Sequence, residues 1–313
     1  MNELRKDYIL DKYVLYCAAR IKRPDQFKKR SVKKKINCFF CQGNEHMTSP
    51  EIGRIKKGNT WNIRWFSNSF PIIENEEKNV RDRPFLSSNP LFGRHEIIVE
   101  TPKDKIHLAD LSVKNLTQVF EVYNSRIEEL SAIKNIKYVL VFKNSGVDAG
   151  CSIAHSHSQV IALNTIPPNI KEETKRSIRY NKCLYCKILK IESKSKRKVF
   201  ENKSVLAFTP YASECEYEIW LFPKRHVDKL NDLKPTELTD MAKILKKIFQ
   251  KLKKNKFHYN MVLHYSPKKS NMHFHIEIKP RLTSRAGFEL GSGIITNPVF
   301  PETAAKFYKS LTI

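Results

Sequence analysis

The chain states one order of features twice. Cys38-Phe-Phe-Cys41 is followed by apolar strand-like runs, a long amphipathic segment, another apolar run and then His155-Ser-His157. Cys183-Leu-Tyr-Cys186 opens the same series, which closes on His273-Phe-His275. A pattern that recurs once per half constrains the fold more than any single motif, because each half must then be one supersecondary unit and the two must share a core. The register is clearest where the run beginning His95-Glu-Ile-Ile-Val aligns, with one gap, to the run beginning Tyr217-Glu-Ile-Trp-Leu. Apolar residues then recur at helical spacing, at Leu116, Val119, Phe120, Tyr123, Ile127 and Leu130 in one half and at Leu238, Met241, Leu245, Ile248 and Leu252 in the other. Strands are expected next, over Tyr138–Phe142 and Tyr259–His264. The expected fold class is α+β: two repeats, each an antiparallel sheet with one long helix, packed as an intramolecular pseudo-dimer. The division is expected in the polar stretch Pro167 to Arg176, giving halves 1–166 and 167–313.

Cysteine usage turns the repeat into a metal hypothesis. The seven cysteines are an odd number, and four of them form the two Cys-x-x-Cys pairs. The N-terminal residues lack a signal-peptide pattern, and no run of about 18 apolar residues is present, so a cytoplasmic location without membrane association is expected. In a reducing compartment such pairs favour metal over disulfides. One pair is not enough, since zinc takes about four ligands. In the second half Cys183, Cys186 and His226 are completed by one histidine of His273 and His275, with His273 preferred. In the first half Cys38, Cys41 and His155 need a fourth ligand, either Asp104, which aligns with His226, or His107, the commoner ligand type. His95 is a weaker rival, otherwise a strand histidine packed against the sheet. Closed four-ligand sites offer no position to water, so two structural zinc ions are expected, neither of them the catalyst. Cys17, Cys151 and Cys215 read as buried small hydrophobes.

A net charge of +25 attracts polyanions, with dense basic runs at Lys28–Lys35 and Lys194–Lys198. A zinc-stabilised nucleic-acid-binding protein is therefore one class to weigh. It is disfavoured because Cys41 and His155 are much further apart than ligands of compact zinc fingers, and because Lys246, Lys247, Lys251, Lys253 and Lys254 read as a solvated helix face. A small phosphorylated substrate would benefit from the same field.

On a strand, His155, His157 and Gln159 share one face while Ser156 and Ser158 point away. If metal holds His155, His157 is preorganised as a nucleophile. A neutral imidazole can attack the α-phosphorus of a nucleotide and later leave, which divides one transfer into two steps. Asn144-Ser-Gly-Val-Asp-Ala-Gly-Cys-Ser152 supplies small residues and donors suited to phosphate oxygens.

These residues resemble the histidine-triad superfamily and, within it, the galactose-1-phosphate uridylyltransferase family and the similar ADP-glucose phosphorylases. The matching pieces are Arg20-Ile-Lys-Arg23-Pro, Cys38-Phe-Phe-Cys41-Gln-Gly-Asn-Glu, Phe66-Ser-Asn68-Ser-Phe70-Pro, Phe142-Lys-Asn144, Gly150 to Gln159, and Gly287-Phe-Glu-Leu-Gly-Ser-Gly293 running on to Asn297-Pro. The resemblance implies His157 as nucleophile, Gln159, Ser152 and Asn144 around the phosphates, Arg20 and Arg23 near them, and Asn68 on the nucleoside. It implies a ping-pong nucleotidylyltransferase acting on a nucleotide sugar and a sugar 1-phosphate, with UDP-glucose:hexose-1-phosphate uridylyl transfer as the main expectation and ADP-glucose phosphorylase-like adenylyl transfer as the alternative. It also implies a homodimer, since the uridylyltransferases complete each active site from the partner subunit. Gln159 stands where the hydrolases of the superfamily carry a third histidine; glutamine cannot take a proton from water, which favours transfer over hydrolysis.

The chain departs from the pattern in three places. Ser156 replaces the proline of His-Pro-His, and Ser69 follows Asn68 where the uridylyltransferases carry aspartate. The segment Gly287–Gly293 looks more like the phosphorylase branch and lacks the Tyr-Glu pair that contacts hexose in the uridylyltransferases. The second His-x-His leads to Glu277 instead of glutamine, so a second active site is not expected. The resemblance also offers Glu173 and His264 for the other metal site of some uridylyltransferases, but Cys183 and Cys186 make the Cys2His2 set the stronger expectation; otherwise they read as a solvated glutamate and a strand-end histidine.

Overall fold

The computed structural model describes residues 3–16, 38–73, 91–179, 182–267, 270 and 272–310. The first part of the chain forms β1 (Glu3–Lys6), β2 (Tyr13–Tyr16), β3 (Glu51–Lys57), β4 (Thr60–Ser67), β5 (Gly93–Val99), helix α1 (Val113–Ser131), β6 (Tyr138–Ser145) and β7 (His157–Leu163). Then come α2 (Pro168–Ser177), β8 (Ile178–Arg179), β9 (Lys182–Cys183), α3 (Leu184–Glu192), β10 (Lys198–Glu201), β11 (Val205–Phe208) and β12 (Ile219–Pro223). The chain closes with α4 (Pro235–Lys254), β13 (Tyr259–His264), β14 (His275–Pro280), α5 (Gly287–Ser292), β15 (Ile295–Asn297) and α6 (Pro301–Lys309).

Ten strands make one sheet in the order β10-β11-β12-β14-β13-β6-β7-β5-β4-β3. Every neighbouring pair in it is antiparallel. This is a mixed α+β fold with a large antiparallel sheet and six α-helices among the described residues. The seam between the two parts of the chain is the β6/β13 pair, where Asn144 stands opposite Asn260.

The two long helices form where the apolar spacing places them. Ser112 caps α1 by accepting the Asn115 amide, and Leu116, Val119, Phe120, Tyr123, Ile127 and Leu130 are all buried. Pro235 opens α4, whose buried stripe includes Met241, Leu245, Ile248 and Leu252. The helices pack on each other and on the sheet, α1 against β6 and β7 and α4 against β11 and β12, over a single large core. The lysines of α4 are not all solvated: Lys251 is buried with its ammonium on the Ser310 carbonyl, and Lys246 donates to the Leu111 carbonyl. Their long stems let the charged ends reach carbonyls beyond the helix edge.

Two features bear on the expected division at residue 166. The stretch from Pro167 is helix α2, whose buried side carries Ile170, Glu173 and Ser177. Residues 3–16 belong spatially with the later chain: β2 pairs in parallel with β15, and Tyr8 and Ile9 pack with Tyr185, Trp220 and Phe222. Among the described residues no helix is long and apolar enough to cross a membrane.

Candidate active site and metal-ligand clusters

Strand β7 starts at His157, so His155 lies just before the strand and not within it. The approach is held by the Glu100 amide, which donates to the Ser156 carbonyl. His157 is buried at 6% exposure, and its Nδ1 lies 2.8 Å from the carbonyl oxygen of His155. A carbonyl only accepts, so Nδ1 carries the ring hydrogen and Nε2 keeps its lone pair. Burial, with the Lys143 charge adding to it, pushes the His157 pKa down to about 4, and the ring is neutral near pH 7. A neutral imidazole with a free Nε2 is a nucleophile.

Gln159 follows two residues later on the same face. Its Oε1 is 2.8 Å from His95 Nε2, and the amide nitrogen of Asn68 lies 3.2 Å from the same ring nitrogen. From the side, Phe40 of the first Cys-x-x-Cys places its ring edge-on to His157, with centroids 5.3 Å apart. Behind the strand, the hydroxyls of Ser156 and Ser158 both donate to Glu100, as the alternation of a strand requires. Lys143 Nζ reaches Glu100 at 2.6 Å, Ser156 Oγ at 3.0 Å and the His157 carbonyl at 2.8 Å. Burial alone would raise the Glu100 pKa, but the Lys143 charge and these hydrogen bonds hold it below the ordinary value.

The loop leading to the site is braced from β13. Asn260 donates to Asn144 Oδ1 at 2.8 Å and to the Ala149 carbonyl at 2.9 Å, and His258 pairs with Asp148 at 2.7 Å. Ser152 is exposed at the end of this loop, and the Cys151 thiol, only half-buried, donates to the Ile153 carbonyl. Cys215 is likewise not wholly buried as a residue, though burial of its thiol raises its pKa. Arg20, Arg23 and Cys17 lie outside the described residues.

Among the described residues three groups could hold a metal ion. Cys183, Cys186, His226 and His273 converge with all ligand atoms within 4.8 Å of one another. Cys186 Sγ is 3.3 Å from His226 Nδ1 and 3.6 Å from His273 Nδ1, while His226 Nε2 is turned to the Asp228 carboxylate at 3.0 Å. Two sulfurs, two imidazole nitrogens and a carboxylate behind one of the rings are a donor set that fits zinc. Cys38, Cys41 and His155 form the second group, with Cys38 Sγ 3.2 Å from His155 Nδ1 and His155 Nε2 donating to the Thr101 carbonyl at 2.7 Å. Neither Asp104 nor His107 is in it. Asp104 lies alongside: burial pushes the Cys41 thiol pKa up to about 11, and the Asp104 amide and carboxylate act on it in opposite directions. His107 heads the short turn Leu108–Asp110 instead, its amide donating to Asp110, because that turn needs its first amide capped.

The third group is Glu173, His264 and His275. Glu173 is not solvated but 3% exposed, because α2 delivers it into the sheet, 2.7 Å from His264 Nδ1 and 3.3 Å from His275 Nε2. His275 repeats the geometry of His157, its Nδ1 3.0 Å from the His273 carbonyl, yet its ring is fully buried and stacked on Phe222 at 4.5 Å. Its Nε2 faces carboxylates, not an open cleft.

Residues 1–167 match the family model "Galactose-1-phosphate uridyl transferase, N-terminal domain". A second model, "Domain of unknown function (DUF4921)", matches residues 94–310. The ADP-glucose phosphorylase of Arabidopsis thaliana is 32% identical over 99% of this chain and 93% of its own length. The chain belongs to the galactose-1-phosphate uridyl transferase family. Its galactose-1-phosphate uridylyltransferase relative from Thermotoga maritima is 28% identical over 98% of this chain and 97% of that one. The crystal structure of the Arabidopsis thaliana ADP-glucose phosphorylase with bound ADP-glucose superposes with a TM-score of 0.84 at 30% identity, covering all of both chains. This family member is accordingly an enzyme, a nucleotidyltransferase.

Sequence reasoning missed four parts of the family member's site. His95 bonds Gln159, Phe40 walls His157, the Glu100–Lys143 pair backs the strand, and Asn260 and His258 brace the loop from the other half. The sequence offers His95 only as a weaker rival ligand of the first metal site or a packed strand histidine, because pairing across a sheet depends on strand order.

Proposed function

We propose that the chain transfers a uridylyl group between UDP-glucose and a hexose 1-phosphate by a ping-pong mechanism through a covalent nucleotidyl-His157. The observation that carries this reading is the Nδ1 hydrogen bond of His157 to the His155 carbonyl, which leaves Nε2 as the attacking atom. In the first step Nε2 bonds to the α-phosphorus, the bond from phosphorus to the bridging oxygen breaks, and hexose 1-phosphate leaves. In the second, a phosphate oxygen of another hexose 1-phosphate bonds to that phosphorus, the phosphorus–nitrogen bond breaks, and imidazole is restored. Gln159 donates to phosphoryl oxygens, Asn144 and Ser152 serve the phosphates with Arg20 and Arg23, and Asn68 serves the nucleoside.

Two zinc ions belong to the same reading, one held by Cys183, Cys186, His226 and His273 and one by Cys38, Cys41 and His155 with Asp104 beside them. When bound, zinc pins distant strands without entering the chemistry. The architecture is read as two histidine-triad-like halves, 1–166 and 167–313, forming an intramolecular pseudo-dimer; the support is that β3-β4-β5-β7-β6 and β10-β11-β12-β14-β13 run in the same order from edge to seam. A cytoplasmic homodimer completes the reading, checked by light scattering of the purified protein.

The test is incubation with UDP-glucose labelled in the α-phosphate. An acid-labile protein adduct is expected, absent in His157→Ala, and an adduct that survives that substitution overturns the mechanism. One observation favours a second reading, adenylyl transfer in the manner of ADP-glucose phosphorylase. Beside Asn68 stands Ser69, a hydroxyl bonded to Ser49 at 3.0 Å, in place of the aspartate of the uridylyltransferases. Faster labelling by ADP-glucose than by UDP-glucose would select it.

A further inference from the structure

His95 lies on β5 opposite Ile161, one strand away from Gln159 and diagonal to it across the β5/β7 pair. It is 5% exposed; the Ile72 backbone amide donates to its Nδ1 at 3.4 Å, while the side-chain nitrogen of Asn68 lies beside the ring, 3.4 Å from Nδ1 and 3.2 Å from Nε2. The Asn68 side chain is oriented this way because its oxygen accepts the Phe70 amide at 2.9 Å. A backbone amide can only donate, so Nδ1 holds the lone pair and the ring hydrogen of the neutral imidazole sits on Nε2. That hydrogen is aimed at Gln159 Oε1, 2.8 Å away. Burial lowers the His95 pKa and keeps the ring in this neutral form.

A carboxamide has one acceptor end and one donor end. With Oε1 engaged by His95, Gln159 presents its NH2 to the face it shares with His157. A flipped amide would present oxygen, which repels phosphoryl oxygens. Glutamine has no electronic preference between the two orientations, so a neighbour must set it. We propose that His95 is a positioning residue for nucleotidyl transfer: as an Nε2–H donor it locks the Gln159 amide with its N–H groups toward the reacting phosphoryl group, and through Asn68 it ties that orientation to the nucleoside side of the site. The inference rests on the reading of Gln159 as a phosphoryl-oxygen donor.

The test is the single-turnover rate of His157 labelling at saturating UDP-glucose, with ADP-glucose run in parallel, in wild type, His95→Phe, His95→Gln, Gln159→Met and the His95→Phe/Gln159→Met double variant. Removing a donor to a reacting oxyanion costs about a hundredfold, so His95→Phe is expected to slow labelling about tenfold or more. His95→Gln, which keeps an N–H donor, is expected to recover part of the rate. The double variant is expected to be no slower than Gln159→Met, because a residue that acts only through Gln159 has nothing left to position. Multiplying effects in the double variant overturn the role of His95. An unaffected rate in Gln159→Met overturns the assigned role of Gln159 and the proposal with it, whereas an unlabelled wild type shows the transferase reading itself to be wrong. Nitrogen-15 chemical shifts of His95 in the wild-type protein need no variant to fold: a proton on Nε2 is expected, and one on Nδ1 overturns the proposal.

Discussion

Lys143 Nζ lies 2.6 Å from Glu100 Oε2 in a wall where both side chains are buried, and the same ammonium donates to the carbonyl of His157. The strand that carries His157 is thus backed by an ion pair out of reach of water. Desolvation makes the pair a poor source of net stability but leaves either member costly when isolated. Lys143→Met strands the Glu100 carboxylate and is expected to destabilise the fold by about 3–5 kcal/mol, read from urea unfolding midpoints. Adding Glu100→Gln to it is expected to restore part of the loss, since the two residues share one network.

Acid should find the same weak point. Glu100 has its folded pKa held below the ordinary 4.5 by Lys143 and its hydrogen bonds, so its contribution is present above the unfolded value and lost as pH falls through the folded one. Stability measured by denaturant titration is expected to decline below about pH 4.5, with a shallower decline in Glu100→Gln.

Elemental analysis of the purified chain is expected to find two zinc ions, and Cys186→Ser to lose one. Asp228 is outside the cluster of four, and its carboxylate accepts from the far nitrogen of His226. Asp228→Asn is expected to weaken zinc at that site by about 10–100-fold in a chelator competition, the range for such supporting groups.

Gly146 has φ +88°, and a Cβ there would come within 2.0 Å of the His258 ring. Gly146→Ala combines an unfavourable backbone conformation with a clash, and is expected to cost about 1–3 kcal/mol by thermal unfolding and to slow His157 labelling. Adding His258→Ala relieves the clash but not the backbone strain, so partial recovery is expected.

Much of this molecule is legible in the order of its residues. Helical spacing located α1 and α4, and β13 runs over the expected Tyr259–His264, because periodicity is a local consequence of which face each residue turns inward. Backbone pairing of β7 begins at His157, two residues beyond the expected first strand histidine, because the His155 ring turns to Cys38 and Cys41. The fourth ligand of that group stayed undecided between Asp104 and His107, a choice a one-gap alignment cannot make and one the described cluster of three leaves open.

The sequence by itself determined the α+β class, the pairing of each Cys-x-x-Cys with a distant histidine, and the face that His157 shares with Gln159, because the repeat of motifs and the alternation of a strand can both be read from residue order. Tertiary structure alone decided that His95 meets Gln159, that Lys143 neutralises Glu100 and that α2 buries Glu173 beside His264. Those contacts join elements far apart in the chain, and they exist only once strand order and register have set which side chains lie across from one another.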